Sequence, residues 1–100
     1  MRYLTLSADH QEFSLVDDAS MVQVDQLGLT GDLIADLIAW NRRYQRVIAA
    51  SAQDRTDEPL ASVIDELDRT GVALAERIAA ATDEQTKVRY YSEGQLRTLP

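Results

Sequence analysis

The chain has 100 residues, 45% of them hydrophobic, with 17 acidic and 10 basic side chains, one histidine and no cysteine. That length and apolar content suit a single domain over residues 1–100 with one core and weigh against global disorder, and the lack of cysteine excludes a disulfide framework and a cysteine-based zinc site. A net charge of −7 would repel a phosphate backbone, which disfavours direct nucleic-acid binding.

Residues 2–7, RYLTLS, set Leu4 and Leu6 against Tyr3 and Thr5, the alternation of a strand. Residues 12–17, EFSLVD, do the same with Phe13 and Leu15, and ADHQ between them would close a hairpin. Asp17, Asp18, Ala19 and Ser20 form a turn cluster, after which Met21–Val24 reads as a third short strand. Thr30 is placed to cap a helix over 31–51, with Leu29 and Ile34 at the spacing of a hydrophobic staple. At 100° per residue, Leu33, Leu37, Trp40, Tyr44 and Val47 fall within about 80° of one another. They make a core stripe in which Asn41, lying in the same arc, needs a hydrogen-bond partner if buried. Arg42, Arg43 and Arg46 fall on the opposite side with Asp36.

A polar run, SAQDRTDE, leads to a second helix over 58–81, which Pro59 fixes near its start because proline is tolerated only in a first turn. Its stripe is Leu60, Val63, Ile64, Leu67, Gly71, Leu74 and Ile78. Gly71 in mid-stripe costs about 1 kcal/mol relative to alanine, so close approach of another backbone is expected there. Residues 86–91 alternate again, with Val88 and Tyr90 opposite Lys87, Arg89 and Tyr91. Ser92–Gln95 reads as a hairpin turn returning through 96–99. The resulting fold class is α+β: an antiparallel sheet of short strands with a two-helix antiparallel hairpin on one face, in ββ(β)ααββ order. The pattern leaves the strand order open.

Few residues offer chemistry. His10, between Asp9 and Glu12, has no HExxH, CxxC or calcium-loop spacing around it and reads as part of a polar turn. No nucleophile elbow, Walker loop or dinucleotide motif is present, so no catalytic residue, metal site or cofactor is expected. Gly28 and Gly31 flank a helix start, but Asp32 would repel an anion there. Asp17, Asp18 and Asp25 could gather around a hydrated cation or simply be solvated. Lys87, Arg89, Tyr91 and Arg97 interleave basic and aromatic residues, either to stack bases or to make ordinary cross-strand pairs.

Charge is uneven: residues 1–40 and 51–84 each carry about −6, whereas 41–50 carry about +3 and 85–100 about +2. The first basic island, Arg42, Arg43 and Arg46, is either a solvated helix face or a protein-docking patch. The N-terminus has no apolar run fit for a signal peptide and no stretch long enough to span a membrane, which makes a soluble cytoplasmic location the expectation.

The helix Leu33, Leu37, Trp40, Tyr44, the TGVALAER segment with Gly71, Leu74, Ala75 and Arg77, and Val88 and Tyr90 in VRYY resemble a set of small acidic actinobacterial proteins. The likeness spans roughly residues 27–91. Some members of that set look like immunity proteins encoded beside secreted toxins, which implies a binding role and transfers no catalytic residue. The leading expectation is therefore a non-catalytic immunity or antitoxin protein that neutralises a basic partner, for instance a nuclease toxin, by charge-complementary contact. Candidate contact residues are Asp17, Asp18, Asp25, Asp36, Arg42, Arg43 and Arg46. A nucleic-acid mimic inhibiting a defence enzyme and a self-associating module, such as a homodimer, are the alternatives.

Overall fold

The computed structural model describes residues 2–17 and 20–99, and for Asp25 the backbone alone. In chain order they form β1 (Arg2–Ser7), β2 (Ser14–Val16), a 3-10 turn (Val24–Leu27), α1 (Gly31–Ala49), α2 (Ala52–Thr56), α3 (Glu58–Ala81), β3 (Thr86–Ser92) and β4 (Arg97–Leu99). The α+β class holds, with both long helices where the periodicity puts them. Thr30 caps α1 by accepting the Leu33 N–H at 3.2 Å, and Pro59 lies in the first turn of α3.

The four strands form one sheet in the order β2-β1-β3-β4. Its two outer pairs are antiparallel, but β1 and β3 run parallel, with Leu4 opposite Val88 and Leu6 opposite Tyr90. The sheet is therefore mixed, not wholly antiparallel. The reason is topological. After β1 the chain reverses through β2, α1 and α3, so β3 returns in the direction of β1, and alternation within a strand carries no record of that. The expected third strand at Met21–Val24 is reduced to a single bridge between Met21 and Val16. The chain then curls into the 3-10 turn, which Gly28 ends at φ 69°.

The polar run after α1 also folds. Ser51 accepts the Asp54 N–H at 3.1 Å and starts α2. Arg55 then reaches back, its Nε and Nη2 donating to the carbonyls of Val47 and Ile48 at 3.2 and 3.4 Å. Those carbonyls belong to the last turn of α1, where the regular helical ladder has run out and Val47 otherwise accepts the capping Ala50 N–H at 3.0 Å.

Leu4, Leu6 and Tyr90 face the helices and close the core with Leu37, Trp40, Leu67 and Ile78. Trp40 donates its indole N–H to the Leu67 carbonyl at 2.9 Å, and its ring lies 5.7 Å from that of Tyr44 and 5.9 Å from that of Tyr90. Gly71 does mark a close approach, but of a ring and not of a backbone: a Cβ there would overlap the Tyr90 phenol. On the other side of the sheet Tyr3, Lys87 and Arg89 are exposed. No helix among the described residues is long and apolar enough to cross a membrane.

Candidate functional site

The Asp17 carboxylate pairs with Arg2 at 3.4 Å and accepts the Ser20 N–H at 3.0 Å, so it fastens a turn. Asp18 lies outside the described residues, and Asp25 is placed by its backbone in the 3-10 turn. Among the described residues no group of three histidine or carboxylate side chains could hold a metal ion. His10 is exposed on the hairpin turn, its backbone N–H donating to the Asp9 carboxylate at 2.7 Å.

The arginines of α1 part company. Arg43 donates to Glu66 at 3.1 Å, and Arg77 donates to Asp36 at 2.7 Å. These two pairs stitch the antiparallel α1–α3 seam at exposed positions, where each stabilises by about 1 kcal/mol at most. Arg46 borders a shallow hollow with Asp54, Asp57 and Pro59. Arg42 stands on the rim of a separate groove of about 740 Å³. That groove runs between Ile34 and Ile38 of α1 on one side and Phe13, Leu15 and residues 21–24 on the other, and Met21 and Ile38 along it are 63% and 41% exposed.

The basic strand face is also divided. Lys87 and Arg89 are exposed on the open side of the sheet, and the Arg89 guanidinium lies 4.4 Å above the centre of the Tyr3 ring, a cation–π contact. Arg97 is not with them. It is registered opposite Ser92, whose buried side chain faces the helices, and its Nε and Nη2 both donate to Gln95 Oε1 at 3.1 and 3.0 Å.

The densest polar arrangement is one that neither composition nor motif singles out. Asp68 of α3 is buried, and its carboxylate accepts four hydrogen bonds. Tyr44 and Tyr90 donate their hydroxyls to Oδ1 at 2.7 and 2.6 Å. Ser92 Oγ and Gln95 Nε2 donate to Oδ2 at 2.7 and 2.8 Å. Burial, reinforced by bonding to this carboxylate, raises the Tyr90 pKa well above that of a free phenol. Burial likewise pushes Tyr44 up to about 12, although the Ser92 hydroxyl pulls the other way. Both phenols therefore stay protonated as donors, and the buried carboxyl group is met by four fixed hydrogen-bond donors. Every buried side-chain nitrogen and oxygen among the described residues has a partner. A signal for this cluster existed in the sequence. Asp68 stands four residues after Ile64 and three before Gly71, inside the apolar arc of α3, where a carboxylate requires donors.

The buried carboxylate of this arrangement is saturated by its own neighbours. What the surface offers is contact area: a groove beside Arg42, an exposed charged seam, and a turn held by Asp68. Residues 2–93 match the model of a family described as Serratia CdiI immunity protein-like. No curated protein and no solved structure matches the chain.

Proposed function

The chain belongs to the Serratia CdiI immunity protein-like family, and on that premise we propose that it binds a toxin protein and neutralises it by contact, without catalysis of its own. The match over residues 2–93 carries this reading, because it takes in both long helices and three of the four strands. The partner is a basic toxin, such as a nuclease, met in the cytoplasm. A net charge of −7 supports that choice, since opposite charge speeds encounter and disfavours partners of like charge. The contact residues are Asp17, Asp18 and Asp25 of the N-terminal part of the sequence and Asp36, Arg42, Arg43 and Arg46 of α1. The groove beside Arg42 supports this, because Met21 and Ile38 expose apolar surface there within reach of charged groups.

Two measurements test the reading. Co-expression of the chain with the toxin encoded by the neighbouring gene should restore growth. Calorimetry should show a 1:1 complex at about 50 mM salt whose affinity falls on the order of tenfold at about 500 mM. No complex at low salt and no rescue of growth would remove the proposal.

A further inference from the structure

Glu93–Leu96, the turn between β3 and β4, is gripped by all three helices. From α1, the Tyr44 hydroxyl accepts the Gly94 N–H at 2.9 Å. From α2, Arg55 Nη1 donates to the Glu93 carbonyl at 2.8 Å. From α3, Asp68 accepts from the Gln95 side chain. Within the turn, Ser92 Oγ accepts the Gln95 N–H at 3.0 Å, and the Ser92 carbonyl accepts the Leu96 N–H at 2.7 Å. Gly94 fits so closely that a Cβ would come within 2.7 Å of Ile64 Cγ2 and 2.9 Å of the Tyr44 hydroxyl. The two tyrosines, Ser92, Gln95 and the buried carboxylate thus converge on fixing one turn.

That turn displays Leu96. Its side chain is 60% exposed and its backbone has φ 56°. The left-handed region suits glycine or asparagine, and a bulky residue there is an outlier. Neither backbone nor burial therefore favours leucine at this position, and nothing in the core is gained by it. A residue that breaks two local preferences without benefit to the fold, on a loop fixed by its surroundings, is the mark of a functional contact. Beside it lies a hollow of about 400 Å³ with Ala52, Ala61 and Ile64 in its walls. Arg97 follows directly, exposed, aimed by its two bonds to Gln95, and without an ion pair among the described residues.

We infer that Leu96 is the apolar anchor of the toxin-binding surface. It enters an apolar pocket on the toxin whose rim carries a carboxylate facing Arg97, while the lip of that pocket settles into the hollow beside α2. This inference rests on the toxin-binding reading above and adds a surface to it. Preorganisation is what the Asp68 cluster contributes, because an anchor already held in its bound geometry loses little freedom on binding. A single well-placed apolar side chain can then dominate the affinity.

The test uses the full chain, the toxin of the neighbouring gene, and the variants Leu96→Gly, Leu96→Met and Arg97→Glu. Leu96→Gly relieves the left-handed backbone, so its melting temperature should equal or exceed that of the wild type. Its affinity should fall about 30-fold or more. Leu96→Met should remain within about threefold of the wild type. Arg97→Glu should weaken binding about tenfold at low salt and less at high salt. Leu96→Gly binding as tightly as the wild type would overturn the inference and leave the toxin reading intact. So would light scattering in which Leu96→Gly dissolves a dimer while toxin affinity is unchanged, for then Leu96 serves a second copy. A wild-type chain that does not bind removes both.

Discussion

The two ends of the sheet are held in opposite ways. At the β3–β4 turn, groups from α1, α2 and α3 converge on a few atoms, and polar bonds fix the backbone from several directions. At the other end, the described residues between 9 and 29 form a three-residue strand, a bridge and a 3-10 turn. Leu15 and Val22 of this segment reach the core, and among the described residues its hydrogen bonds to α1 are the Asp9 N–H to Asn41 Oδ1 at 3.0 Å, the Gln11 N–H to Gln45 Oε1 at 3.3 Å and Gln45 Nε2 to the Asp9 carbonyl at 2.7 Å, with the groove open beyond them. The difference teaches how a small binding module divides labour. Directional bonds to a buried carboxylate define one geometry. An apolar groove bordered by Met21 and Ile38 can repack against a partner.

The contrast can be broken from the rigid side first. Trp40→Ala should cost about 3–5 kcal/mol in a denaturant melt, because Trp40 packs on both tyrosines and its indole satisfies the Leu67 carbonyl. A loss under about 1 kcal/mol would refute its place in the core. Asp68→Ala should cost about 3 kcal/mol by leaving two phenols, a hydroxyl and an amide without their acceptor. An Asp68→Ala chain that melts like the wild type would mean that the cluster contributes nothing to the fold.

The tyrosines add a pH signature. Both hold their protons more tightly in the folded chain than in the unfolded one, so their contribution is whole below pH 10, the unfolded value. Above it the unfolded chain ionises first, and stability falls as pH rises toward the Tyr44 value of about 12. Melts between pH 8 and 11.5 should show that decline and should show it blunted in the Tyr44→Phe, Tyr90→Phe double variant. From the adaptable side, Ile38→Ala should change stability by no more than about 0.5 kcal/mol, since the side chain is 41% exposed and alanine favours the helix. A larger loss would make the groove wall part of the core.

Much of the frame was legible in the residues themselves. Thr30, Pro59 and the stripes of Leu33–Val47 and Leu60–Ile78 located both long helices because caps and periodicity are local properties. Asn41 was expected to need a partner and has one in the Asp9 N–H. The parallel β1–β3 pairing was not legible, because direction depends on how many times the chain reverses between them. Nor was α2, whose tie to α1 is a single arginine reaching back across the turn. Gly71 announced a close approach, but its reason is the Tyr90 ring, and Gly94 inside the expected turn is closed in by the Ile64 and Tyr44 side chains, neighbours that only folding brings near. The left-handed turn position falls on Leu96 and not on Gly94, one residue past the hairpin turn expected over residues 92–95. Of the candidate contact residues, Arg42, Arg43 and Arg46 look like one island in sequence and become three separate environments in space.

The most direct test of the whole is an amide hydrogen-exchange map of the chain alone and saturated with the toxin proposed as its partner. In the free chain the Gly94, Gln95 and Leu96 amides should exchange only through global unfolding, while those of residues 11–16 and 21–22 open locally. In the complex, protection should appear in the open segment and around Leu96. A free chain in which the turn exchanges as fast as the N-terminal segment, or a saturated complex in which neither region gains protection, would contradict it.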